Sequence, residues 1–353
     1  MSKGLGSRGW WSRVAPVCIA LLIVVNVLDG IQSLHGALGT LYLGDGAGTS
    51  NTNDKHTAGR FAVAHYAEGP DQIYGIYSIH RQMAKHRMLH GPYFNDTLEA
   101  SDAGQTAAHI VVVPDDIRPE YRRVLASLIG EANVRPVEQQ MIHGLMRDEQ
   151  NLWTGVMSKT WLFNLTDFDK VIMLDADVLI RTNIMHWFDY ETPCGIQAKD
   201  DISWNSGAMV IRPDGRAFQR MLEQLPYVQR YDKNGHKTDP LTSGFGQQAW
   251  MTAFFLNNTQ QGKERCVMST ESAVLVSSLP NKLFDYYNKY RPWVYQTVHF
   301  TTVKPWRNHK SNHPFVCKLL REWNESMSGI EEYYGDLPPI SADYLSKCPP
   351  VEA

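Results

Sequence analysis

Phe168-Asp169-Lys170-Val171-Ile172-Met173-Leu174-Asp175-Ala176-Asp177-Val178-Leu179 is the stretch on which the reading of this chain turns. Residues 171–174 form an unbroken apolar run, the pattern of a strand covered on both faces. Two carboxylates separated by one residue stand where that run stops, and apolar Val178, Leu179 and Ile180 follow. Open α/β sheets bind ligands just outside the carboxyl ends of their strands. Asp175 and Asp177 are hard oxygen donors that point toward one cation if the backbone turns between them. A divalent cation held this way keeps positions open for phosphate oxygens. A pair of solvated loop aspartates is the plainer alternative, and the apolar segments on either side weigh against it.

The segments on either side alternate between strand and helix patterns. Upstream, residues 61–66 and 109–114 read as strands, and 134–137 as a third. Ile73, Tyr74, Tyr77, Ile79 and Met83 recur at helical spacing, and Tyr121, Val124, Leu125 and Leu128 share one face of a helix over 118–129. A further helix over 152–165 carries Lys159 and Trp161. Downstream, 206–211 is a strand entered by Asn205, 216–225 and 247–256 are helices, 272–277 and 296–300 are strands, and 316–323 is a closing helix. Residues 229–245 read as a polar loop. This alternation predicts an α/β domain with a mostly parallel central sheet flanked by helices.

The 353 residues, 43% hydrophobic and 20% charged, suit one large domain or two modest ones. A net charge of -3 without a basic block excludes nucleic acid as a natural partner. Lys3, Arg8 and Arg13 precede an apolar run at 14–28, short for a membrane span of about 17–25 residues. Both an uncleaved signal anchor and a cleaved signal peptide fit it. No small-x-small cleavage site follows Leu28, which favours the anchor, and the basic flank would then place the bulk of the chain in the lumen of the ER or Golgi, as a single-pass type II protein. Secretion after cleavage is the alternative. The expected layout is a cytosolic tail at 1–13, the anchor at 14–28, a flexible stem at 29–59, the folded domain at 60–330 and an irregular tail at 331–353. Sequons at Asn95, Asn164, Asn257 and Asn324 suit a lumenal location. Cys194, Cys266, Cys317 and Cys348 form an even set that allows three pairings, with buried free thiols as the other possibility.

Further candidates for chemistry lie downstream. His299 ends a short strand, and a neutral imidazole is a good third ligand beside two carboxylates for a Mn²⁺-like ion. Lys304-Pro305-Trp306 follows, and a lysine there meets phosphate as a point charge. Taken singly, each has an ordinary reading, a satisfied core histidine and a solvated lysine. Taken in order, D-x-D, Asn205-Ser206-Gly207, the Gln247-Gln248 helix, His299-Phe300 and Lys304-Pro305-Trp306 resemble glycosyltransferase family 8, the glycogenin-like and galactinol-synthase-like enzymes. The resemblance covers roughly 60–306.

That resemblance implies a GT-A fold, a UDP-sugar donor, Mn²⁺ or another divalent cation, and transfer with retention of anomeric configuration. It implies that Asp175, Asp177 and His299 hold the metal and that Lys304 meets the departing diphosphate. Ala176 would lie against the ribose, and the first strand around Ala64 and His65 would face the uracil. Lys159, Asn205 and Ser206 would hold the donor sugar, with Asp200 or Asp201 nearby, and Gln248 and Gln247 would approach its reactive face. The family's acidic group before the Gln is here Gln247, a neutral amide that orients a donor but is a weak nucleophile. The base-binding turn after the first strand also departs, reading His65-Tyr66-Ala67-Glu68. The acceptor is left open among glycans, proteins, lipids and polyols.

Two other readings remain at this point. Asp175-Ala176-Asp177-Val178 locally fits the nucleophile motif of haloacid-dehalogenase-type phosphatases, although that motif normally opens its domain and about half the chain precedes it here. The loss of an acid at Gln247 also fits a catalytically impaired protein that binds sugar nucleotides.

Overall fold

The computed structural model describes residues 60–89, 106–145, 157–197, 204–227, 247–258, 266–268, 273–275, 295–301, 304–307, 314–340, 345 and 348. The expected anchor, the stem, the loop at 229–245 and the sequon at Asn95 lie outside them. The domain is one compact unit reaching from Ala58 to Ala353.

In chain order the strands are β1 (Phe61–Tyr66), β2 (Ala108–Pro114), β3 (Val134–Val137), β4 (Lys170–Leu174), β5 (Val178–Ile180), β6 (Cys194–Gln197), β7 (Trp204–Ile211), β8 (Cys266–Val267), β9 (Ala273–Leu275) and β10 (Thr297–His299). The helices are α1 (Pro70–Lys85), α2 (Pro119–Ile129), α3 (Gln139–Leu145), α4 (Gly215–Gln224), α5 (Gln247–Asn258) and α6 (Pro314–Ser326). Seven strands pair in the order β3-β2-β1-β4-β7-β6-β8, and a second sheet runs β5-β10-β9. From β3 to β4 every pairing is parallel; β7 is antiparallel to both β4 and β6. The α/β class and mostly parallel sheet expected from the sequence are borne out.

The central strands are mostly apolar because both faces are covered. Val171, Ile172, Met173 and Leu174 of β4 are buried, and β7 is buried along its whole length. One face packs α1, α2 and α6 through residues such as Ile76, Leu125 and Trp323. The opposite face packs α4 and α5 through Phe218, Met221, Trp250 and Phe254. Pro stands in the first turn of α1 and α2, where its missing N–H is no loss. Asp214 caps α4, accepting from the Arg216 and Ala217 amides.

Two bridges, Cys194–Cys266 and Cys317–Cys348, resolve the cysteine pairing that spacing left open. The first ties edge strand β8 to β6. The second ties the final segment to α6. The tail past 331 contains a short 3-10 turn, Ile330–Tyr333, and is bound to the body by more than that bridge. Leu337 is buried, Arg123 pairs with Asp336 at 2.7 Å, and the Tyr74 hydroxyl donates to the Pro338 carbonyl.

Three buried histidines form a row across β1, β2 and α1. His65 and His109 meet edge to face, His109 and His80 stack, and the Nδ1 atoms of the latter pair share a hydrogen bond at 3.0 Å. Burial pushes His65 and His80 down to about 4 and holds His109 well below 6.5, where the neighbouring imidazoles lower it further. The folded state therefore resists protons that the unfolded chain accepts. Stability is full above pH 6.5 and is lost as pH falls toward about 4, by up to about 1.4 kcal/mol per pH unit for each histidine. The urea midpoint is expected to drop steeply between pH 7 and pH 5, and His80→Asn to flatten that slope.

Candidate metal and diphosphate site

The D-x-D turn is the link between the two sheets. β4 delivers Asp175, and β5 departs one residue after Asp177. The Asp175 N–H donates to the Gly207 carbonyl of β7 at 2.9 Å, and the Phe300 N–H, just past β10, donates to the Asp177 carbonyl at 2.8 Å. One bond fixes the turn to the large sheet and the other fixes it to the small one. The Ile180 N–H beyond is taken by the side chain of Gln82, whose amide also donates to Ser78 and Ser326 Oγ at 2.7 and 3.1 Å.

His299 is brought to the carboxylates by the antiparallel pairing of β10 with β5, which sets it opposite Val178. Its Nε2 lies 3.2 Å from Asp177 Oδ1 and 3.6 Å from Asp175 Oδ2. Its Nδ1 lies 3.0 Å from Asn205 Oδ1. That oxygen already accepts the Gly207 N–H at 2.9 Å, so the amide orientation is set and Nδ1 must be the donor. A neutral His299 then turns the Nε2 lone pair toward two carboxylates. Three ligand atoms, all within 4.8 Å of one another, converge with electron pairs that only a cation or a proton reconciles. A hydrogen-bonded second ring nitrogen is the usual support of a metal-ligating histidine. The donor set, two carboxylate oxygens and one imidazole, fits a Mn²⁺-like ion.

Two lysines complete the charge. Lys304 Nζ pairs with Asp177 Oδ2. Burial alone would raise the Asp177 carboxyl; His299 when it also carries a proton on Nε2, and Lys304, outweigh it and hold it well below the usual range. Lys304 is positioned by a turn whose Trp306 is buried against Trp323 and whose Arg307 reaches Asp71 in the first turn of α1 at 2.9 Å. Lys159 Nζ pairs with Asp175 Oδ1 but not at a hydrogen-bonding angle, so that buried oxygen lacks a directed partner. The expected helix around Lys159 is a 3-10 turn, Ser158–Asn164, pinned by buried Leu162 and Phe163.

Close approach dictates two glycines. A Cβ on Gly207 would lie 2.0 Å from His299 Cε1, and one on Gly75 would lie 1.8 Å from the Ala176 carbonyl oxygen. The imidazole thus lies on β7, and α1 presses on the D-x-D turn. Gly75, Gln82 and the contact of Asn205 with His299 escaped the sequence reading. A glycine kept inside an apolar helical run, despite its cost of about 1 kcal/mol there, was the available signal for Gly75.

The other candidates are distributed as follows. Ala176 is buried against Gly75. Ser206 is buried on β7. Ala64 and His65 are wholly buried, with His65 Nδ1 donating to the Leu174 carbonyl at 2.9 Å, so they support the turn from within and present no surface to a base. Gln248 is half-buried at the start of α5, where its carbonyl accepts from Thr252 Oγ1 at 2.8 Å. Asp200, Asp201 and the Gln247 side chain lie outside the described residues.

Gly207→Ala is expected to displace the His299 ring, with an overpacking cost of about 1–3 kcal/mol. Differential scanning fluorimetry with and without Mn²⁺ tests this: the variant should melt lower and lose any upward shift that Mn²⁺ gives the parent protein.

No protein-family model matches the sequence. The chain is 30% identical over 130 residues to UDP-glucuronate:xylan alpha-glucuronosyltransferase 1 of Arabidopsis thaliana, covering 37% of this chain and 19% of that protein. It is 28% identical over 131 residues to inositol phosphorylceramide glucuronosyltransferase 1 of the same organism, covering 37% and 23%. It is 27% identical over 133 residues to glycogenin of Komagataella phaffii, covering 34% and 32%. These matches span less than a third of each relative's length. Among solved structures, the galactosyltransferase LgtC in complex with donor and acceptor sugar analogs has 15% identity and a TM-score of 0.46, covering 81% of this chain and 99% of that one. By sequence, then, this chain is similar to glycosyltransferases, glycogenin and the glucuronosyltransferases among them, as its motifs imply.

Proposed function

We propose that this chain is a retaining glycosyltransferase of the GT-A type, resembling family 8, that moves a sugar from a UDP-sugar to an acceptor. The observation that carries this reading is the convergence of Asp175, Asp177 and His299, drawn from two sheets, with two lysines at its rim. Such a site suits a divalent cation and a diphosphate together. A haloacid-dehalogenase nucleophile normally opens its domain, whereas here β1, β2 and β3 all precede Asp175.

Asp175, Asp177 and His299 would hold the cation. When bound, such an ion acts as a Lewis acid that neutralises a diphosphate leaving group. Lys304 has an exposed face and a short swing from Asp177, and it would follow the departing diphosphate with its charge. Lys159 would reach between Asp175 and the donor sugar. Asn205 has committed its oxygen to His299 and Gly207, so only its amide nitrogen remains for a sugar hydroxyl. Gln248, with Gln247, would address the sugar's reactive face through a carbonyl dipole. The similarity to a UDP-glucuronate:xylan glucuronosyltransferase supports UDP-glucuronate as the first donor to test. The acceptor class stays open. A lumenal location in the Golgi or ER, held by an N-terminal anchor, is part of this reading; among the described residues no helix is long and apolar enough to cross a membrane.

The test is hydrolysis and transfer with a panel of UDP-sugars and Mn²⁺. Asp177→Ala should lower the rate about a thousandfold or more, the several kcal/mol that a metal site supplies. Full activity in that variant refutes the reading. Lys304→Met should keep Mn²⁺ binding, followed by electron paramagnetic resonance, while losing transfer.

A further inference from the structure

Two sequons lie wholly within the described residues. Asn164-Leu165-Thr166 lies where the 3-10 turn Ser158–Asn164 ends and the chain reverses into β4. The Thr166 N–H donates to the Asn164 carbonyl at 2.8 Å, and the Phe168 N–H to the Leu165 carbonyl at 3.0 Å. Leu165 is buried and anchors the reversal, so Asn164 and Thr166 are both exposed on the outside of it. The neighbouring Asp167 is tied to Arg135 at 2.9 Å. This turn precedes the start of β4, whereas Asp175 follows its end. Five strand residues at about 3.3 Å each put roughly 17 Å between the two poles.

Asn324-Glu325-Ser326 is the contrast. It forms the last three residues of α6, and the Ser326 hydroxyl is committed: it donates to the Trp323 carbonyl at 2.6 Å, accepts from Gln82 at 3.1 Å and meets Ser78 Oγ. The hydroxyl that a sequon must present is locked in a part-buried network there. Two disulfides, meanwhile, mark a chain that matures in an oxidising compartment, where sequons meet their transferase.

We propose that Asn164 carries an N-linked glycan and that Asn324 does not. The co-substrate is a polyprenyl-diphosphate-linked oligosaccharide. The Asn164 carboxamide nitrogen bonds to the anomeric carbon, the bond from that carbon to the diphosphate oxygen breaks, the nitrogen's proton passes to a base of the transferase, and the diphosphate leaves on the lipid. A bulky hydrophilic group at this position projects from the pole opposite the metal and diphosphate site and leaves that site open. The inference is independent of which sugar the chain itself transfers.

The test uses the full chain made in a eukaryotic secretory host. Peptide mapping after peptide N-glycosidase treatment in heavy-oxygen water should return labelled aspartate at 164 and unmodified asparagine at 324. One step in gel mobility should vanish in Asn164→Gln and in Thr166→Ala and persist in Thr166→Ser. Unmodified Asn164 in protein whose two disulfides are formed overturns the proposal. Recovery of the chain with those four thiols free overturns it too, because the oxidising compartment is its premise. Mapping of the parent protein decides the matter even where a variant fails to fold.

Discussion

Everything at the candidate site depends on how the backbone of the D-x-D turn is held. Asp175 gives its N–H to β7 and Asp177 takes one from the end of β10, so three residues are stitched to two different sheets. The bonds are ordinary, each worth about 1 kcal/mol net. Their effect is positional. They fix the carboxylates relative to His299, which arrives from the smaller sheet, and relative to Asn205, which arrives from the larger one. Both sheets must therefore form before the ligand set exists.

Steric demands reinforce that arrangement. Gly207 lets the imidazole rest on β7, and Gly75 lets α1 lie on the Ala176 carbonyl. Each glycine sets the separation between an element and the turn. Asn205 acts in the same indirect way, by deciding which ring nitrogen of His299 bears hydrogen. The lysines follow electrostatics: two carboxylates this close repel unless counter-charges stand nearby, and Lys159 and Lys304 each take one.

Much of this was legible in the sequence because the signals are local. An apolar run followed by D-x-D marks β4 and the turn, and the alternation of strand and helix patterns marks a mostly parallel sheet. His299 and Lys304 stood out through their order along the chain. What escaped was set by contacts distant in sequence. β6 and β8 are four and two residues long, and β8 is placed by pairing with β6 and by a bridge to Cys194, so no periodicity announced it. The helix expected around Lys159 is a 3-10 turn because Leu162 and Phe163 must both reach the core. Ala64 and His65, expected at a ligand surface, are sealed inside it, since β1 is covered on both sides by the strands and helices it organises.

The Cys194–Cys266 bridge has a consequence for how this chain tolerates change. Its partners are 72 residues apart, and the ring they close contains β7, α4, α5 and the polar segment between those helices. Closure entropy grows only with the logarithm of length, about 0.6 kcal/mol for each doubling. Lengthening the ring therefore changes its closure cost little, and the covalent tie keeps β8 on the sheet edge beside β6. The tie thus holds the edge of the sheet beside β7, whose Asn205 orients the ligand histidine.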